Sequence, residues 1–243
     1  MTRGKRFLPL VALVLGLGLL VPMTASANGC VDCHGKLDTD GRIDQRHQDY
    51  DGSLHASKGI GCDSCHGGDA RAGAADKAHA GVLPASNEKS RVYFKNVPRT
   101  CGRCHGGQFE RFAQSRHGEQ LAASGKGPNC VTCHGSMATR ILRADQVEEF
   151  CSTCHNERVG APLDKPREAA DTLALMARTR LLVEWAGDFG AGNGTSGGPS
   201  LERAGNAMAM AMAAWHTFDL GMVKQYLDTA AQAAQAAKTE AGR

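Results

Sequence analysis

Cys130-Val-Thr-Cys133-His134 lies near the middle of the chain, and its order of two thiols and an imidazole recurs four more times. The other copies are Cys30-Val-Asp-Cys33-His34, Cys62-Asp-Ser-Cys65-His66, Cys101-Gly-Arg-Cys104-His105 and Cys151-Ser-Thr-Cys154-His155. Together the five copies use all ten cysteines of the 243-residue chain. Paired cysteines two residues apart also suit structural zinc sites and disulfides, but neither requires a histidine next in line. Histidine fills ten positions, about 4% of the chain, so one after every pair arises by chance on the order of once in ten million.

C-x-x-C-H is the signature of c-type haem attachment. Two thiols bond the porphyrin vinyl groups, and the adjacent histidine takes an axial position on iron. The spacing lets both sulfurs reach one porphyrin edge and brings the next residue under the ring. The reading is therefore five covalently attached c-type haems, held by Cys30, Cys33, Cys62, Cys65, Cys101, Cys104, Cys130, Cys133, Cys151 and Cys154. His34, His66, His105, His134 and His155 are the proximal ligands. Five histidines remain, His47, His55, His79, His117 and His216, one for each haem. The equality points to bis-histidine, six-coordinate, low-spin iron throughout. His55 and His117 share a Ser-x-His context upstream of an attachment site, Ser53-Leu54-His55 before Cys62 and Ser115-Arg116-His117 before Cys130. Methionine is the competing axial ligand. Met208, Met210 and Met212 read instead as helix packing material.

Over about residues 28 to 156 the chain resembles the multihaem c-type cytochromes, exported electron carriers of bacterial respiration. Motif number and order are similar to those of the periplasmic pentahaem electron-transfer partners of ammonia-forming nitrite reductase, from which the C-terminal third departs. The resemblance implies electron transfer between redox proteins, such as a quinol dehydrogenase, a terminal reductase or other cytochromes. The repeated Ser-x-His is a feature that this family shows too. Ammonia-forming nitrite reductases typically carry a C-x-x-C-K site, and no motif here has lysine in that place.

Only 5% of the chain is aromatic although 42% is hydrophobic, so bulky side chains are too few to fill a large interior. The expected fold is mainly α with little regular secondary structure, a haem-packed cytochrome domain over residues 28–160 followed by a C-terminal helical hairpin over 161–243. Cys30 to His66 and Cys101 to His134 read as a duplicated two-haem unit, each closed by a glycine, Gly67 and Gly135. Gln108 to His117 reads as a short helix with Phe109 and Phe112 on one face. Pro166 to Phe189 reads as one long helix, and a second arm runs from Ser200 to about Lys238, weakened by Gly205, Asp219 and Gly221.

Residues 1–27 read as a secretory signal. Arg3, Lys5 and Arg6 form a basic start, Phe7 to Val21 is an apolar run, and Ala25-Ser26-Ala27 offers a cleavage site. Membrane attachment follows only if this segment stays uncleaved, and the run is short for a span of about 20 residues. Losing it removes three of the 28 basic residues and leaves 25 of each sign, which excludes a basic nucleic-acid-binding face. Export places the protein in the periplasm or otherwise outside the cytoplasm. The sequence thus points to an electron-transfer protein with no catalytic residues of its own. Three alternatives stay open: an enzyme with one open haem acting on a small nitrogen or sulfur compound, an oligomeric haem wire, and a membrane-anchored quinol dehydrogenase.

Overall fold

The computed structural model describes residues 29–36, 42–194 and 198–242. The expected signal segment lies outside them. All regular structure among the described residues is helical. Seven of the first ten helices have eight residues or fewer: α1 (Gly29–His34), α3 (Leu54–Ser57), α4 (Cys62–His66), α5 (Ala75–Ala78), α6 (Val97–Gly102), α7 (Gly106–Ala113) and α9 (Cys130–His134). The other three are α2 (Arg42–Asp51), α8 (Arg116–Ser124) and α10 (Ala144–Ser152). Three long helices follow, α11 (Lys165–Gly192), α12 (Pro199–Ala214) and α13 (Leu220–Ala241).

The helix expected over Gln108 to His117 is two helices, because Ser115 adopts extended backbone and caps a new one. Its hydroxyl accepts from Gly118 N at 3.1 Å, which satisfies a donor that the helix start leaves open. His117 therefore sits in the first turn of α8 and not at the end of α7. The second arm of the hairpin also breaks. A 3-10 turn over Trp215–Thr217 ends at Phe218, held at φ 57°, and Asp219 caps α13 by accepting from Met222 N. Gly67 and Gly135, which close the duplicated units, take φ 85° and 80°, a region that glycine enters without strain.

The apolar core lies in the C-terminal helices. Met176 of α11, Ala207, Met208 and Ala211 of α12, and Val223 and Leu227 of α13 form one buried cluster. Met208 is core, whereas Met210 and Met212 are 40% and 50% exposed. Over residues 29–160 the buried hydrophobic side chains among those described are only Val97, Phe112, Leu121 and Val147. The two parts meet where α10 packs on α11 and where α7 packs on α12 and the 3-10 turn. Lys224 of α13 lies 2.8 Å from Glu168 of α11, whose other carboxylate oxygen binds Lys165 at 2.5 Å. No helix among the described residues is long and apolar enough to cross a membrane.

Candidate haem sites

Each attachment motif lies on a single helical turn, for a geometric reason. On a helix, residues three and four apart share a face, so both sulfurs and the imidazole of C-x-x-C-H project together. In α4 and α9 the motif is the whole helix, and in α1 it is all but Gly29. In the third and fifth motifs it straddles the end of a longer helix, α6 or α10, but the turn continues: His105 N donates to Cys101 O and His155 N to Cys151 O, both at 2.9 Å.

The fourth motif is capped most completely. Asn129 accepts from Thr132 N at 3.1 Å, while Asn129 N donates to Thr132 Oγ1 at 3.0 Å, a reciprocal capping box. The Asn129 amide also donates to Phe94 O at 2.8 Å, which fixes the loop before α6 against this motif. Asn129 was not among the residues read as functional. Its signal in the sequence is an Asn ahead of the turn with Thr three residues later.

The Ser-x-His units have a local physical meaning too. Ser53 and Ser115 are both buried N-caps with nearly identical backbone, φ −85° and −81° with ψ 158°, and each accepts from the amide three residues on. The histidine is then the second helical residue, held by the cap at a helix start. Replacing Ser115 by alanine removes the cap bond and is expected to destabilise the protein by about 1 kcal/mol, a melting-point fall of about 2–4 °C in a chain of this size. Thermal unfolding followed by absorbance measures it.

Folding brings eight imidazoles into four pairs. His34 and His79 have ring centroids 5.8 Å apart, His55 and His105 6.0 Å, His117 and His155 6.0 Å, and His134 and His216 6.3 Å. Every pair joins a motif histidine to one of the spare histidines. Two imidazoles on opposite sides of one metal, with metal–nitrogen bonds of about 2.0 Å, would have centroids about 6 Å apart. Among the described residues no three His, Cys, Asp or Glu side chains are grouped to hold an ion by themselves.

Ring orientation fits the same geometry. Nδ1 of His79, His134 and His155 lies 2.7–2.8 Å from the carbonyl oxygens of Ala75, Arg140 and Pro162, an arrangement that leaves Nε2 as the nitrogen available to a metal. The loop after His134 folds back twice on that residue, since Arg140 N also donates to His134 O at 2.8 Å, with Thr139 at φ 37°. Nδ1 of His117 and of His216 is buried without a hydrogen-bond partner, a costly arrangement for polar atoms. Burial, then the charge of His155, pushes the His117 imidazole down, and burial with His134 and His105 pushes His216 down to about 4. Both shifts favour the neutral imidazole, the form able to ligate a metal.

His66 and His47 differ from the other eight. Burial and the nearby His34 push His66 down, but no ring pairing involves it among the described residues. His47, on α2, has its Nδ1 beside Gly35, 3.9 Å from the point that a Cβ there would occupy.

The motifs neighbour one another in sequence order. Burial raises the Cys30 thiol and Cys62 raises it further, and Cys65 responds in the same way to Cys101. The neighbouring Cys130, with burial, pushes the Cys101 thiol up, while Cys101 pushes Cys130 down. Burial, then Cys151 and Cys154, pushes Cys133 up to about 11. Hydrogen bonds link two of these steps: Gly29 N donates to Ala70 O at 3.1 Å beside the first and second motifs, and Arg103 Nη1 to Ser64 O at 3.4 Å between the second and third. At the third step α6 packs on α9.

No protein-family model matches the chain, and no solved structure does. Among curated proteins it is 28% identical to the C-type polyheme cytochrome OmcC of Geobacter sulfurreducens over 133 residues, 55% of this chain and 15% of that one. It is 32% identical to the C-type polyheme cytochrome OmcB of Geobacter sulfurreducens, from either of two strains, over 173 residues, 56% of this chain and 21% of the relative. The chain thus spans about a fifth or less of the length of these relatives. Their similarity, with five C-x-x-C-H turns in a helical frame, supports a multihaem c-type cytochrome.

Proposed function

We propose that the chain is an exported pentahaem c-type cytochrome that passes electrons between redox proteins of a respiratory chain, through five low-spin haems with bis-histidine ligation. The observation that carries this reading is the set of four imidazole pairs at 5.8–6.3 Å. When bound, haem supplies one-electron chemistry, its iron alternating between ferric and ferrous.

The protein's own contribution is to hold, order and shield. His34 with His79, His105 with His55, His155 with His117 and His134 with His216 would each hold one haem iron between them, and His47 would remain for His66. These pairings knit distant segments together. His55 precedes the second motif but faces the third, His117 precedes the fourth but faces the fifth, and His216 fastens the C-terminal helices to the fourth. The adjacency of consecutive cysteine pairs supports a row of sites in chain order, with the first and fifth motifs at its ends. An iron held by two imidazole nitrogens would have no position for a substrate, which favours a carrier over an enzyme, and ligation by two histidines would favour lower potentials than His/Met ligation. Residues 28–160 act as the haem domain and 161–243 as the helical part docked on it, with residues 1–27 directing export to the periplasm.

With its propionates ionised, each bis-imidazole haem carries about −1 when ferric and about −2 when ferrous, so a chain near neutrality becomes an anionic holoprotein, steered toward basic partner surfaces. Reductive titration of the purified full-length protein tests the reading. The expected result is reversible uptake of five electrons per chain and rapid discharge to a second c-type cytochrome, without turnover of nitrite, hydroxylamine or sulfite. Turnover of any of these overturns it.

One observation favours the second reading, a multihaem oxidoreductase: among the described residues no ring pairs with His66. An open second site would then act on a small nitrogen or sulfur compound. His47→Ala separates the two readings, because it raises the high-spin ferric signal only if His47 is a ligand.

A further inference from the structure

Between the second and third motifs lies a cleft of about 340 Å³ lined by Lys89, Ser90, Arg91, Asn96, Arg99, Thr100 and Arg103. Four of the seven side chains are cationic and none is acidic. The polar ones face away from any ligand role. Ser90 Oγ donates to Leu83 O, Asn96 Nδ2 to Glu88 O and Ser90 O, and Thr100 Oγ1 to Arg91 O. These bonds fold the 83–100 segment into a frame from which the cations project. No ion pair among the described residues involves Lys89, Arg91, Arg99 or Arg103.

Two of the cleft's cations reach toward the second attachment site, one of them from within the third. The Arg91 guanidinium approaches Gly67, the residue after His66, and lies 3.4–3.6 Å from the point that a Cβ there would occupy. Arg103 sits inside the third motif and donates to Ser64 O inside the second. Four exposed cations lining one cleft with no acidic side chain among them make its potential positive, which favours an anion there. Guanidinium groups suit carboxylates best, through two parallel hydrogen bonds.

We infer that this cleft binds the propionate carboxylates of the haems carried by the second and third motifs and so raises the reduction potential of at least one of them. The inference rests on the haem reading above. Reduction adds a negative charge, and nearby fixed cations stabilise the reduced form.

The test is a potentiometric titration, with haem counting, of the full-length protein and of R91Q/R99Q, R91K/R99K and, as a control on the outer face of α11, R178Q. In R91Q/R99Q, with five haems retained, the equilibrium constant for reducing at least one haem should fall about tenfold, about 59 mV for a one-electron couple. R91K/R99K and R178Q should titrate like the parent, and adding inorganic phosphate to the parent at constant ionic strength should change nothing. If R91Q/R99Q does not mature, K89Q is read in its place with the same expected direction. Unchanged midpoints in a five-haem variant overturn the inference, as does a phosphate-dependent midpoint in the parent, which would mean an open anion site. Fewer than five haems in the parent would instead overturn the reading on which the inference rests.

Discussion

Replacing His216 by alanine should leave five haems attached and convert one of them from low-spin to high-spin. His216 lies 6.3 Å from His134 and sits in the 3-10 turn that joins α12 to α13. Attachment at Cys130 and Cys133 does not depend on it, so the haem count holds while one sixth ligand is lost. The neighbouring Trp215 packs on the apolar core, which keeps the helix break in place. The expected signature is one high-spin ferric signal per chain, with the other four haems still low-spin, and exogenous imidazole should restore the fifth. Phe218 makes a second effect readable. Its ring stands 4.5 Å from that of His117, two residues beyond His216, so a turn loosened by the substitution should also perturb the low-spin signal of the haem at Cys151 and Cys154. A variant with only low-spin iron would remove His216 from the ligand set.

Replacing both Cys101 and Cys104 by serine should lower holoprotein yield at least tenfold instead of yielding a stable four-haem protein. The physical reason is the scarcity of apolar side chains. Between residues 29 and 160 the buried hydrophobic residues described are Val97, Phe112, Leu121 and Val147, too few to offset the conformational entropy of ordering that length of chain. Bound haem must supply most of the missing apolar contact, much as metal supplies folding energy to small metallodomains. The third motif is also central, with Cys101 beside both Cys65 and Cys130. Yield after export, measured by haem-stained gel against total protein, checks this. A normal yield of four-haem protein would contradict it.

What could be read from the sequence follows the range of the interactions involved. The attachment turns are local, because thiols and imidazole three and four residues apart need only one helical turn to converge. The all-helical character was legible for the same reason. The Ser-x-His units were recognised as a pattern, yet their cause, a buried serine capping a helix start, needed backbone geometry at Ser53 and Ser115. Which distal histidine meets which motif was not legible at all. His55 lies seven residues before Cys62 and faces His105 instead, a choice made by tertiary packing across about 50 residues of chain. The break between α12 and α13 was foreshadowed by Asp219 and Gly221, but the left-handed residue turned out to be Phe218, whose side chain gives no such warning. The cationic cleft drew no notice because Lys89, Arg91, Arg99 and Arg103 are scattered among neutral residues and converge only once the 83–100 segment folds.

The central claim, five haems each held between two histidines, is tested most directly on one sample of purified ferric protein. Haem is counted by pyridine haemochrome and intact mass, and the EPR spectrum is recorded alongside. The account predicts five haems per chain and low-spin signals only. A stoichiometric high-spin signal, or a count below five, would contradict it.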